Sequence, residues 1–418
     1  MSVNEWPRVR SRFAFHRRDV RGANAPLASA TQSGVLLRDD LDVSVWNPNS
    51  DVSNYKLVER GDFVIGLRSF QHGISHSKVR GIVSPAYTVL RGTDKVHPEF
   101  FKHYFRSSLL ISQLANLTQG IRQGQAIDIE AFANLELPIP PLEEQRRIAK
   151  FLDAETARID QLYAHRERQI QLLEDSAVSR VFDAVRGSAV PGNRKDSGLD
   201  WLGDIPADWR VGAVSHYFEV ELGKMLNQER LSGDHLQPYL RVANVQWDHI
   251  DLSELAVMNF PPGEKNRYSL RSGDLLVNEG GSWPGRAAIW QGKQEMYYQK
   301  ALHRIRPQGR ESTRWLYYCL VAAERLRVFQ VQGNTSTMTH LTREQLRPQR
   351  FPFPSHDIQR DIVKELDESA QQHAELLKVI EQQLSLLSER RQALITGAVT
   401  GQFDVTTADR ATPSGGTA

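Results

Sequence analysis

The sequence predicts a mixed α/β (α+β) fold: two globular blocks separated by two long antiparallel helices, with an internal pseudo-twofold repeat. Three observations carry this. Residues 138–187 align on 352–401 at a fixed offset of 214, without a gap, with 16 identities in 50 positions. Both segments open on prolines and close on a glycine, Gly187 or Gly401. A helix starts readily where a missing N–H costs little and stops where a left-handed residue is needed. Ahead of each lies a strand-like pair entered through a Gly-Asp turn, LVERGDFVIG (57–66) and LRSGDLLVNE (270–279).

The elements follow in the same order twice. Trp6 in EWPRV answers Trp209 in DWRVG, and AYTVLR (86–91) answers ALHRIR (301–306). An aromatic helical stretch comes next, PEFFKHYFRSSLL (98–110) or STRWLYYCLVAA (312–323). A polar loop follows, TQGIRQGQAIDIEAF (118–132) or QGNTSTMTHLTREQL (332–346). The long helices then start at LPIPPLEEQRRI (137–148) and FPFPSHDIQRDI (351–362). Glu143 and Glu144, or Asp357 and Asp361, sit where the positive end of the helix dipole favours them. Apolar residues recur at Leu377, Ile380, Leu384, Leu387 and Leu394, and in the first copy at Tyr163, Ile170, Leu173 and Ala177. So narrow a stripe is a helix-pairing seam rather than a broad core face. Arg166, Arg180 and Arg391 interrupt it, which disfavours a long autonomous coiled coil and favours pairing of the two copies within one chain. The expected organisation is block 1–137, helix 138–190, block 191–351, helix 352–403 and a disordered tail 404–418.

Composition agrees with a soluble globular chain of more than one domain: 418 residues, 40% apolar, 24% charged, net charge +2. The charge alternates along the chain, +4 over 1–142, −1 over 143–187, +3 over 188–354 and −4 over 355–418. That is a weak sign of polyanion binding by the blocks and not by the helices. No apolar run is long enough to span a membrane, the N-terminus has no apolar h-region, and the expected location is cytoplasmic. The single Cys319, in WLYYCLVAA, reads as a core residue and excludes an intramolecular disulfide or a cysteine zinc site. No P-loop, no Asn/Asp-Pro-Pro-Tyr/Phe, no F-x-G-x-G and no zinc spacing is present, so a catalytic role would have to lie in other chains.

Pro-x-Pro-Pro-Leu-x-Glu-Gln-x-x-Ile opening a long helix, present twice, resembles the specificity (S) subunit of type I DNA restriction–modification complexes. DSGLDWLGDIPADWRV (196–211) is similar to the opening of that family's target-recognition domains, and YLRVANVQ (239–246) and QGNTSTMTHL (332–341) to segments within them. The resemblance implies two target-recognition domains, each reading half of a bipartite double-stranded DNA site. It further implies helical regions that dock two methyltransferase (M) subunits, with restriction (R) subunits joining them. No cofactor is expected in this chain; S-adenosylmethionine, ATP and Mg are expected in the partners. The first block departs from the pattern by keeping only Glu5-Trp6 of the domain opening, and the second helix by SHDIQ in place of PLxEQ. The rod would serve as a ruler between half-sites.

Base-edge readout needs Arg, Lys, Asn, Gln and hydroxyl side chains on loops. The first block offers Arg68, Ser69, Gln71, His76, Lys78 and Arg80, then Arg122, Gln123 and Gln125. The second offers Arg241, Asn244, Gln246, Asn278, Trp283, Arg286 and Lys300, then Asn334, Thr335, Ser336, Thr337 and His340. Any one such loop could equally be a solvated turn. His72 and His76 have a metal-pair spacing, but Gly73 between them favours plain polar side chains. Gln145, Arg146, Gln359 and Arg360, near the helix starts, are the candidates for partner contact. The competing readings are a two-module scaffold with no DNA role and a solitary DNA-binding regulator.

Overall fold

The computed structural model describes residues 6–41, 52–119, 126–280, 284–331, 340–402 and 405. It divides into two compact units, Met1–Glu167 with Ile380–Ala418, and Arg168–Val379. Each long helix, Leu142–Arg186 and His356–Val399, gives one half to each unit.

In the first unit a four-stranded antiparallel sheet runs in the order Phe15–Arg18, Thr88–Gly92, Phe63–Ile65, Ser75–His76. Strand Arg8–Arg10 pairs with Glu136–Pro138, so Pro138 ends a two-stranded ribbon where its missing N–H breaks no ladder. Helices Pro98–Tyr104 and Ser108–Asn116 cover the sheet with Phe100, Phe101, Tyr104, Phe105, Leu110 and Leu114. The same core takes Ile148 and Leu152 from the first long helix and Ile395 and Val399 from the second. Arg391 bonds Asp160 at 3.0 Å between these two helix segments.

The second unit repeats the plan in the same register. Its sheet order is Phe218–Leu222, Leu302–Pro307, Leu275–Asn278, Ala287–Ile289. Arg8 opposite Pro138 corresponds to Val211 opposite Pro352, and Phe63 opposite Leu90 to Leu275 opposite Ile305. Helix Thr313–Arg325 covers the sheet, with Cys319 in its core, where burial pushes the thiol up. Here Val185 of the first long helix and Leu366 of the second enter the core, and Arg180 donates to Ser369 at 2.6 Å.

The helix stops are alike too. Gly187 and Gly401 have φ of +68° and +73°. A Cβ at Gly187 would lie 2.8 Å from the Trp209 ring, and one at Gly401 3.3 Å from the Trp6 ring. Each tryptophan meets an aromatic of the covering helix edge-on, Trp6 with Phe100 at 6.3 Å and Trp209 with Trp315 at 5.8 Å.

Two expectations differ from this picture. Tyr163 is exposed rather than part of a seam, whereas Ile170, Leu173 and Leu384 are half-buried and Ile380 is buried. Of the tail expected over 404–418, Val405 is buried in the first unit's core and the rest lies outside the described residues.

Candidate nucleic-acid interface

The helix-start motif is solved inward. Gln145 and Gln359 are each 0% exposed. Gln145 Oε1 accepts the His97 backbone N–H at 2.7 Å, and its Nε2 donates to the carbonyls of Lys95 and Pro140 at 2.9 and 2.8 Å. Gln359 accepts from Ser312 N at 3.2 Å, donates to the Pro354 carbonyl at 3.0 Å, and bonds Glu311. One side chain thus ties the proline turn to the start of the covering helix. This corrects the expectation of partner contact at Gln145 and Gln359, since an amide with both ends engaged by its own chain has nothing left for another. Arg146 and Arg360 are exposed, paired with Glu143 and with Asp357 and Asp361.

Each module holds a buried carboxylate in its Gly-Asp turn. Asp62, in the Gly-Asp turn, accepts the Glu59 N–H at 2.8 Å and pairs with Arg91 and, at 3.2 Å, Arg18. Asp274 accepts the Arg271 N–H at 2.7 Å and takes a two-point bond from Arg306 at 2.7 and 2.6 Å. The Gly-Asp turn and the arginine ending YTVLR or HRIR were visible in sequence, but their pairing across the sheet was not. Planar guanidinium-carboxylate geometry holds the turn rigid under the loops above it.

The candidate contact residues divide by burial. In the first unit Arg68, Gln71, Lys78 and Arg80 are exposed, Arg68 just before the short helix Ser69–His72, Gln71 on it, and Lys78 and Arg80 in the loop after the strand Ser75–His76. Ser69 is buried and its Oγ accepts the Gly66 N–H at 2.8 Å, and His76 is buried on its strand. Ser69 closes its own turn, and His76 stands on its strand against the Phe63 ring rather than on the exposed loop. Arg122, Gln123 and Gln125 lie outside the described residues.

In the second unit Lys300 and His340 are exposed and Arg241, Gln246 and Arg286 are half-buried. Gln246 donates to the Ala243 carbonyl at 2.9 Å and accepts from Arg286, which fixes that guanidinium at the loop edge. Asn244 is buried and closes its own turn, accepting from Arg241 N at 2.9 Å and donating to the carbonyls of Asp251 and Glu254 at 2.9 and 3.0 Å. Asn278 is buried and donates to the Val245 carbonyl at 3.3 Å. Asn244 and Asn278 therefore shape loops rather than face outward. Trp283, Asn334, Thr335, Ser336 and Thr337 lie outside the described residues.

The titratable groups respond to this burial. His303 is pulled down to about 4 by burial, although its Nε2 bonds the Leu341 carbonyl at 2.7 Å. Burial alone would raise Asp153, yet His103 and Lys102, both at 2.7 Å, outweigh it and hold the carboxyl at about 2. Glu279 is raised by burial. Among the described residues no group of three His, Cys, Asp or Glu is placed to hold a metal, and no helix is long and apolar enough to cross a membrane.

Fold and geometry together define a chain built from two copies of one α+β module, each closed by half of each long helix, with its outward polar side chains on strand-connecting loops. The chain belongs to the family of the type I restriction modification DNA specificity domain, whose model matches residues 50–172 and 206–386. It is 26% identical over 255 residues to the type I restriction enzyme EcoKI specificity subunit of Escherichia coli, covering 60% of this chain and 53% of that protein. It is likewise 26% identical over 204 residues to the MjaVIII specificity subunit of Methanocaldococcus jannaschii, covering 47% and 45%. The chain thus spans about half the length of the relatives it matches. In fold it is similar to a solved chain from work on complex assembly and conformational transition of the type I R-M system. The TM-score is 0.73 at 20% identity, over 96% of this chain and 99% of that one. It also resembles the crystal structure of the HsdS subunit from Thermoanaerobacter tengcongensis, with TM-score 0.57 and 20% identity over 96% and 98%.

Proposed function

We propose that this chain is the non-catalytic, sequence-specific DNA-recognition subunit of a type I restriction–modification complex. Each module reads one half of a bipartite site, and the helices dock two methyltransferase subunits, with restriction subunits joining that assembly. The observation that carries this is the duplication itself. The two modules share sheet order, register, glutamine clamp and buried Asp-Arg pair, yet their loops differ in sequence. One architecture with two loop chemistries suits a non-palindromic target read in two pieces.

Direct readout falls to the outward groups: Arg68, Gln71, Lys78 and Arg80 in the first module, and Arg241, Gln246, Arg286, Lys300 and His340 in the second. Arg122, Gln123, Gln125, Trp283, Asn334, Thr335, Ser336 and Thr337, outside the described residues, remain candidates by their residue types. Arginine held by a neighbouring amide, as Arg286 is by Gln246, is suited to the paired acceptors of guanine. Partner contact falls to Arg146 and Arg360 and to exposed Leu162, Leu172, Leu376 and Leu386, which recur at the same offset of 214. S-adenosylmethionine, ATP and Mg belong to the partners.

Methylome sequencing of a host with and without the gene tests the reading. A bipartite methylated motif should vanish on deletion, and its persistence would sink the proposal. Exchanging residues 1–137 for another module should change one half-site only. Inserting one helical turn between Ile159 and Gln169 should lengthen the unread spacer or abolish modification.

A further inference from the structure

A cleft of about 860 Å³ opens within the first unit. It lies between the turn at Gln32 and Ser33, the strand Ser75–His76, the helix Pro98–Tyr104 and the long-helix segments that carry Asp153, Asp160 and Arg391. His76 lines it. The imidazole is 4% exposed and packs on Phe63 with ring centroids 5.2 Å apart, and neither ring nitrogen has a hydrogen-bond partner. A carboxylate oxygen of Glu99 stands 4.0 Å from Nε2, beyond hydrogen-bond reach. Leaving a buried polar group unmatched is costly, so such a group inside a cleft marks a place where a ligand can supply the partner.

The charges decide which kind of ligand. Glu99, Asp153 and Asp160 line the cleft, and each is already engaged. Lys102 bonds Glu99 at 2.6 Å and Asp153 at 2.7 Å, and Arg391 bonds Asp160 at 3.0 Å. Lys78 and Arg106 are left over: among the described residues no carboxylate lies within ion-pair distance of either, and Arg106 Nε is buried without a partner. The field at His76 carries the same sign. Burial pulls the imidazole down to about 4, Glu99 opposes this, and Lys102, Lys78 and Arg106 add to it. A divalent cation is disfavoured there, since no set of three ligating side chains converges.

The second module supplies an internal comparison. His97 and Ser312 correspond, because each gives its backbone N–H to the clamp glutamine. Counting on from them, Glu99 corresponds to Arg314 and His103 to Tyr318, while Asp153 corresponds to Asp367 at the helix offset. In the second unit Arg314 bonds both Asp248 and Asp367, and its guanidinium lies 4.5 Å over the Tyr317 ring and 4.9 Å over Tyr318. There the corresponding position holds a cation that is neutralised in place. In the first unit that position is Glu99, drawn to Lys102, and the two remaining cations face the cleft.

We propose that the cleft of the first unit binds a phosphate group, with His76 donating from one ring nitrogen and Lys78 and Arg106 giving charge-assisted hydrogen bonds to the other oxygens. The phosphate can belong to the backbone of a bound duplex or to a free phosphorylated molecule. The site does not depend on the DNA-recognition reading, because inorganic phosphate probes it directly.

The test uses the full chain with isotope-labelled histidine, His76 being assigned by the signal lost in His76→Phe. Inorganic phosphate at neutral pH should shift the His76 resonance saturably and raise its titration midpoint, because an anion there stabilises imidazolium. Lys78→Ala and Arg106→Gln should each weaken phosphate by about tenfold. Lys78 is at the rim, so its variant keeps the test open if Arg106→Gln fails to fold. A short duplex of arbitrary sequence that displaces phosphate assigns the site to DNA backbone. Displacement by a nucleoside monophosphate but not by the duplex assigns it to a free ligand. A shift matched by chloride at equal ionic strength, or affinity unchanged in both variants, overturns the proposal.

Discussion

Gln145 holds the backbone of His97: its Oε1 accepts that N–H at 2.7 Å while its Nε2 bonds the Pro140 carbonyl at 2.8 Å. A single amide therefore joins the last proline turn of a module to the helix that covers its sheet. Gln145→Leu would leave a buried N–H and two carbonyls unmatched and should lower stability by about 3 kcal/mol. Gln145→Glu should fail as well, because a carboxylate accepts from His97 but cannot donate to Pro140 or Lys95. Denaturant midpoints read both, and a midpoint unchanged in Gln145→Leu would remove the clamp from this account.

The two helix stops should differ in sensitivity. Alanine at either Gly187 or Gly401 costs about 1 kcal/mol for the left-handed backbone. Gly187→Ala adds a Cβ 2.8 Å from Trp209 and Pro206, whereas at Gly401 the Trp6 ring is 3.3 Å away. Thermal unfolding should therefore rank Gly187→Ala as the more destabilising, and the reverse order would contradict the packing described.

Asp274 and Asp62 should be intolerant of truncation. Asp274→Ala leaves Arg306, itself largely buried, without its two-point partner, a loss of about 3–5 kcal/mol. Combining it with Arg306→Met should recover much of that, since removing both charges also removes their desolvation cost. Urea denaturation of the single and double variants gives the comparison; an additive double variant would show that the two residues act separately.

Acid should weaken the second unit through His303. Its folded pKa, about 4, lies below the ordinary histidine value of 6.5 because burial disfavours the cation. The stability it confers is complete above 6.5 and is lost as pH falls from 6.5 through 4, to a total of about 3 kcal/mol. His303→Gln should flatten the dependence of the unfolding midpoint over that window. An unaltered slope would mean that other groups set the acid limit.

Much of this architecture was legible in the chain. The offset of 214 announced two modules, and the prolines and glycines bounded the helices found at Leu142–Arg186 and His356–Val399. Arg68, Lys78 and Lys300 are exposed, as charged side chains on loops usually are. Ser69, Asn244 and Asn278 turn inward instead, since a polar residue in a loop motif can as readily bond its own backbone as face a ligand. The cleft at His76 left no trace in the motifs, being lined by segments from Gln32 to Ile395.

What the sequence determined by itself was the duplication, the helix limits and the Gly-Asp turns. Proline, glycine and apolar spacing act on the backbone within a few residues, so their meaning is local. Only the tertiary structure decided that Gln145 and Gln359 turn inward, that Asp274 meets Arg306, and that Arg314 meets Asp248 and Asp367. Gln145 meets His97 across 48 positions and Gln359 meets Ser312 across 47. Burial at that separation is set by which surfaces meet, and no local pattern carries it.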